Sequence, residues 1–257
     1  MIFWNAPAAE KTRNKMPLLL PQAEIYLERT GGALHLIVLG GRAPFSPWLR
    51  SVASERTVWA VDHGMDACLA AGVVPRHVLG DFDSILNEGR AWLERANTGA
   101  EIEIERFAAD KDLTDFQLCL NRIKGDILVT GCWGGRFDHA FANIFSALWG
   151  LECGARILAF ADESEILIPL TADNKSASLE LRLLSEASAI SLLPLSGSCE
   201  GVDVRGTKWE LNGATLTQGR PYAISNVAAE KGGKISVKIA NGILGVYCFF
   251  ERGANYA

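Results

Sequence analysis

This 257-residue chain has only four histidines and six cysteines, the usual zinc ligands, and neither set is grouped. Cys68, Cys119, Cys132, Cys153, Cys199 and Cys248 are scattered, with no CxxC pair and no histidine at zinc-finger spacing. That argues against a zinc module and fits buried free thiols in a reducing compartment. Long apolar runs are missing as well. Nothing approaches the roughly 18 residues of a membrane span, and the early "PLLLP" is too short and too proline-bound for a secretory signal. The expectation is a soluble, cytoplasmic protein with no membrane partner. Positive charge is not in excess: the formal net charge is −5, which argues against nucleic acid as a general partner. Neither a GxGxxG fingerprint nor a P-loop is present, and no internal repeat or low-complexity tract is found.

What is present is ordinary globular material, 49% hydrophobic and 21% charged, enough for one large domain or two modest ones. "ALHLIVLGG" (33–41), "TVWAVDHG" (57–64), "PRHVLGDFD" (75–83), "GDILVTGCWGG" (125–135) and "ARILAFAD" (155–162) are apolar runs ending in glycine or aspartate. Such runs read as strands buried on both faces. Between them lie helical periods: Met65, Leu69, Val73; Leu113, Phe116, Leu120, Ile123; and Phe137, Phe141, Ile144, Leu148. Alternating strands and helices predict an α/β domain with a mostly parallel sheet flanked by helices, over residues 31–170. Beyond about 170 the helical period gives way to short β-rich segments with Gly and Asn turns, an all-β sandwich domain over 171–257. Residues 1–30 lack periodicity and are expected to form an N-terminal arm or edge feature.

The unusual polar residues fall at the carboxyl ends of the expected strands, where doubly wound sheets bind ligands. In "HVLGDFDSI" (77–85), Asp81 and Asp83 stand two apart. In an extended segment they share a side opposite Phe82. Unpaired, they repel and raise each other's pKa, a cost that a hard cation such as Mg²⁺ removes. The structural alternative is an Asx turn with a helix N-cap at Asp83 or Ser84. In "ADKDLTDFQL" (109–118), Asp112 and Asp115 share the face of a helix start. There Asp112 is a candidate N-cap with Asp115 as an approximate capping-box partner. Lys111 stands among these acids, placed to neutralise them or to bind phosphate. In "TGCWGGRFDHAFAN" (130–143), a glycine turn between strand and helix presents amide N–H groups to an anion. Arg136 can fork onto phosphate, Asp138 adds a carboxylate, and His139 reads as a helix-face histidine.

Taken together, "VDHG", "GDFDSI", "DKDLTD" and "GCWGGRFDH", followed by "GTKWEL" (206–211) and Ser225-Asn226, resemble the thiamin pyrophosphokinase family over most of residues 35–250. The resemblance implies an ATP-binding α/β domain, a thiamine-binding β-sandwich and a homodimer with its sites at the subunit interface. It implies transfer of the pyrophosphoryl group of ATP to the hydroxyethyl group of thiamine, giving AMP and thiamine diphosphate with Mg²⁺. By motif, Asp81, Asp83, Asp115 and Asp138 carry over as catalytic residues, with Asp81 and Asp83 on the metal. Asp62, Lys111, Asp112, Thr114, Gly134, Gly135 and Arg136 carry over to the nucleotide and its phosphates, and Trp209, Ser225 and Asn226 to thiamine. Asp115 is the first choice for the proton acceptor, and Trp209 is either a stacking residue for the thiamine cation or a packing aromatic. The chain departs from the family at His63, where a glycine is usual, and at Thr207, where an apolar residue is commoner. Two rival readings are a haloacid-dehalogenase-type phosphatase, from the DxDx[ST] form of "DFDS", and a non-catalytic nucleotide or thiamine sensor.

Overall fold

The computed structural model describes residues 17–29, 32–83, 85–96, 102–108, 110–173 and 175–251. Two short strands come first, β1 (Pro17–Leu20) and β2 (Ala23–Leu27). An alternating region follows: β3 (Leu34–Val38), α1 (Ser46–Ala53), β4 (Thr57–Val61), α2 (Gly64–Ala70), β5 (His77–Gly80), α3 (Asn87–Ala96), β6 (Glu103–Arg106), α4 (Asp115–Leu120), β7 (Gly125–Thr130), α5 (Phe137–Glu152) and β8 (Ala155–Ala161). The remainder is strand only: β9 (Glu165–Ala172), β10 (Ala177–Leu183), β11 (Ala189–Pro194), β12 (Ser198–Arg205), β13 (Leu211–Thr217), β14 (Lys234–Ile239) and β15 (Gly242–Phe249).

Six parallel strands run in the order β8-β7-β3-β4-β5-β6, and β9, β15 and β11 extend the same sheet antiparallel to make nine. The two-residue alternation of β3 divides its surroundings. Leu36 and Val38 join the core of α1, α2 and α3, with Trp48, Met65 and Leu93. Ile37 and Leu39 join the core of α4 and α5, with Phe116, Leu120 and Ala147. Helices therefore cover both faces, as the continuous apolar strands require. The second sheet is antiparallel, in the order β1-β2-β10-β14-β12-β13. It continues the core on the α1–α3 side: Ile25, Leu181 and Val237 from it share one buried cluster with Ile168, Leu192 and Val246 of the large sheet.

Several expectations change. Of the two readings for the N-terminal residues, an arm or an edge feature, residues 17–27 follow the second, with β1 the edge strand of the second sheet. Leu18, Leu20, Ala23, Ile25 and Leu27 are buried on one side of an antiparallel pair, and β2 continues that pair onto β10. Residues 1–16 lie outside those described. A boundary at 170 cuts through β9, and β11 and β15, expected in a separate sandwich, belong to the large sheet. The charged edge strand β6 and the helices α1 and α3 were not legible as periods. The stripe Phe137–Phe141 on α5 does not face the core. These side chains are 81% and 53% exposed, while Ser146, Ala147 and Gly150 form the buried face.

Candidate active site

The order β7-β3-β4 makes β3 the point where chain direction across the sheet reverses, so a crevice opens between the loops that follow β3 and β7. All the acidic motifs lie along this edge. Asp62 follows β4 with φ +47°, a left-handed conformation unusual for a residue other than glycine. Its N–H donates to Leu79 O at 3.0 Å, and its carboxylate lies directly over Gly80, where any side chain would collide with it. Asp62 Oδ1 is buried without a hydrogen-bond partner. Burial, and then the charges of Asp115 and Asp81, push its carboxyl up to about 7. Three carboxylates thus converge, and Lys111 stands between two of them, Nζ lying 3.1 Å from Asp115 and 4.0 Å from Asp81.

The capping explanation for these acids fails at α4. Thr114 is the N-cap: its Oγ1 accepts from Gln117 N–H at 3.2 Å, and Gln117 Oε1 accepts from Thr114 N–H at 3.1 Å, completing a capping box. Asp112 is exposed, and Asp115 is free to face Asp62 and Lys111. At β5 the structural alternative is realised in part. The strand stops at Gly80, and Asp81 Oδ1 accepts from Asp83 N–H at 3.1 Å, an Asx turn. Phe82 takes φ +61° and is buried beneath Arg106. Asp81 and Asp83 therefore sit on a turn and not on an extended segment. Asp83 is exposed and is not a helix cap, since α3 begins at Asn87; Ser84 lies outside the described residues.

Among the described residues no three His, Cys, Asp or Glu side chains form a ready-made metal cage. The orphaned Asp62 oxygen beside Asp81 and Asp115 nonetheless fits Mg²⁺, which binds through one or two carboxylates and completes its shell with water and substrate phosphate. Across the crevice, Gly134 and Gly135 take φ +73° and +66° in the turn before α5. Arg136 and Asp138 are exposed and form a two-bond pair at 3.1 and 2.5 Å, which holds the Asp138 carboxyl below its ordinary range. His63 does not point freely into the site. Nδ1 lies 3.0 Å from Asp66 Oδ2, and Gly40 leaves the room that His63 Cβ fills.

The second set of expected residues surrounds a cavity of about 320 Å³ between the two sheets, lined by Leu192, Val204, Thr207, Tyr222, Ile224 and Val237 among others. Trp209 and Asn226 are at its wall. Trp209 is 56% exposed, so it is not a core aromatic. Asn226 Nδ2 donates to Trp209 O and Asn226 Oδ1 accepts from Trp209 N–H, while the buried Thr207 hydroxyl donates to the same carbonyl at 3.1 Å. The polar residue at 207 thus braces the loop. Ser225 takes φ +59°, and its N–H donates to Ser191 Oγ. Lys208 Nζ stands 4.6 Å from the centre of the Trp209 ring, so this face already receives a cation. Tyr222 and Ile224, exposed at the rim, carried no sequence signal. β11, on the wall of this cavity, and β4, which Asp62 follows, stand six places apart in the large sheet. At about 4.8 Å per strand that is roughly 29 Å.

Comparison with known proteins gives consistent findings. Residues 49–158 match the thiamin pyrophosphokinase catalytic domain, and residues 167–244 match the thiamin pyrophosphokinase vitamin B1 binding domain. Among curated proteins, thiamine pyrophosphokinase of Bacillus subtilis (strain 168) is 30% identical over 214 residues, covering 81% of this chain and 94% of that one. Among solved structures, thiamine pyrophosphokinase from Bacillus subtilis superposes with a TM-score of 0.71 at 24% identity, covering 86% of this chain and all of that one. Thiamin pyrophosphokinase from Candida albicans superposes with a TM-score of 0.67 at 14% identity, covering 85% and 89%.

Proposed function

The chain belongs to the thiamin pyrophosphokinase family, and from that premise we infer that the acidic crevice and the Trp209 cavity are two halves of one transferase site. The reaction moves the pyrophosphoryl group of ATP to the hydroxyethyl oxygen of thiamine, releasing AMP and leaving thiamine diphosphate. The observation that carries the reading is the convergence of Asp62, Asp81 and Asp115 on Lys111, opposite a glycine turn that ends in Arg136. Neither a dehalogenase-type phosphatase nor a sensor is favoured by any of these features.

Transfer of this kind needs positioning and charge neutralisation more than covalent help. Asp62 and Asp81 would hold Mg²⁺. When bound, the ion neutralises phosphate oxygens and orients them for in-line attack. Lys111, Arg136 and the amides of the Gly134–Gly135 turn bind the remaining phosphate charge. Asp115, held by Lys111 and unused by the helix cap, is the group proposed to accept the proton of the thiamine alcohol. Asp83, Asp112 and Asp138 are exposed and act from the rim, Asp138 by orienting Arg136. In the other half, Trp209 stacks on the thiamine cation, with Asn226 and Ser225 shaping its loop.

A single copy sets the cavity wall β11 four places from β7, which leads into the glycine turn, and six from β4, roughly 19 to 29 Å along the sheet, a gap the thiamine oxygen would have to cross to reach phosphorus. That distance supports a homodimer in which each crevice meets its partner's cavity. The exposed stripe Phe137–Phe141, beginning one residue after Arg136, is the surface proposed to bury the contact. The six free cysteines agree with a reducing cytoplasm. Mass spectrometry of a mixture with ATP, Mg²⁺ and thiamine tests the assignment: AMP and thiamine diphosphate must form in equal amounts. Formation of ADP with thiamine monophosphate, or of phosphate alone, would reject it.

A further inference from the structure

Arg42, the residue after Gly40-Gly41, has no part in the motifs, yet it occupies the reversal point of the sheet. Its loop and the glycine turn are joined directly. Leu39 N–H donates to Thr130 O at 2.9 Å, Gly41 N–H to Gly131 O at 2.8 Å, and Arg42 N–H to Trp133 O. The approach excludes side chains: a Cβ on Gly41 would stand 2.5 Å from the carbonyl oxygens of Gly131 and Trp133, and one on Gly134 would stand 3.0 Å from Arg42 Cβ. The Arg42 stem thus forms the floor on which the turn rests. Its guanidinium is fixed from below. Nε and Nη2 donate to Asp162 Oδ2 at 3.1 and 2.5 Å, and Nη2 also donates to Glu165 Oε1 at 2.6 Å. Asp162 is fully buried, Oδ1 accepting from the N–H groups of Ser164 and Glu165. Glu165 is held by Tyr247 Oη at 2.8 Å.

We propose that Arg42 is a positioning residue for the nucleotide: it sets the Gly131–Gly135 turn in its phosphate-receiving shape and offsets part of the negative charge of Asp162 and Glu165, which would otherwise repel the triphosphate more strongly. The second role follows from charge. Asp162 follows β8 and Glu165 begins β9 beside the crevice, and without a cation they would set two negative charges near an anionic ligand in a partly buried region. Lysine is not equivalent, since an ammonium cannot span both carboxylates with a planar fork.

The inference rests on reading the glycine turn as the phosphate site, and the test separates the two. Arg42→Met, Arg42→Lys and Arg136→Ala are compared by ATP affinity at fixed Mg²⁺, by KM for ATP and for thiamine, and by thermal midpoint. Arg42→Met is expected to weaken ATP binding on the order of tenfold, the size usual when a supporting residue is lost, with the thiamine KM unchanged. Arg42→Lys, the variant more certain to fold, is expected to recover part of that loss. A merely structural ion pair would lower the midpoint and leave the ATP affinity of the folded protein as in the parent, and that result overturns the proposal. If Arg136→Ala still weakens ATP binding, the failure belongs to Arg42 alone. If Arg136→Ala is also without effect, the phosphate reading of the turn falls with it.

Discussion

Asn226 and Trp209 are tied by reciprocal hydrogen bonds: Asn226 Nδ2 donates to Trp209 O at 2.7 Å, and Trp209 N–H donates to Asn226 Oδ1 at 3.2 Å. The indole is thereby presented at the cavity edge by its backbone, with more than half of its surface open. Trp209→Ala is expected to raise the thiamine KM while costing little stability, within about 0.5 kcal/mol for an exposed position. Trp209→Phe should restore part of the affinity, because a smaller ring keeps part of the attraction for a cation. Asn226→Ala should raise the same KM through the loosened loop, and neither change should move the KM for ATP. A Trp209→Ala protein with an unchanged thiamine KM would end the stacking assignment.

Asp62 makes the ligand-free protein sensitive to pH. Its carboxyl is raised from 3.8 to about 7, so the folded state holds the proton more tightly than the unfolded chain. The sign follows: the stabilising contribution is complete below pH 3.8 and is lost as pH rises through about 7. Thermal midpoints measured in a chelator should therefore contain a falling component across that window. Asp62→Asn should flatten it and raise the midpoint at pH 8, while abolishing most turnover. An identical pH profile in the variant would show that Asp62 ionises normally.

The aspartates of the β5 turn differ in exposure, and their substitution should differ in effect. Asp81 lies near Lys111, whereas Asp83 is exposed and tied only through its backbone. Asp81→Asn should lower kcat by roughly 10²-fold or more with the fold intact, the scale of losing one well-placed electrostatic group. Asp83→Asn should cost distinctly less. Equal losses would mean that both carboxylates bind the metal, as the motif alone suggests.

The proposed shared site would make activity depend on assembly. Phe141→Asp places a charge in the middle of the α5 stripe, where Phe141 packs between Phe137 and Phe145. Light scattering should report a monomer, with specific activity falling in parallel and the circular dichroism unchanged. A fully active monomer would refute the shared-site picture.

The strands β3, β4, β5, β7 and β8 and the helices α2, α4 and α5 were legible because burial on two faces, or on one helical stripe, leaves a periodic trace. So were the acidic motifs, because paired carboxylates at strand ends are expensive without a cation. Thr114 was legible only as a motif residue. Its capping box with Gln117 required backbone geometry, and that box is what frees Asp115. The α5 stripe was legible as a period but not as a direction. An apolar face reads the same whether it points inward or outward, and only the packing of Ala147 and Gly150 decided that Phe137 and Phe141 point away from the core. The strand pair β1–β2 and the edge strand β6 left no trace, because they are buried on one face at most and lack the two-sided burial that marks β3, β4 and β5. Sequence singled out the polar groups proposed to carry the chemistry. Tertiary structure alone decided that Asp62 joins Asp115 and that Arg42 lies beneath the glycine turn, since both depend on which strands become neighbours across the sheet.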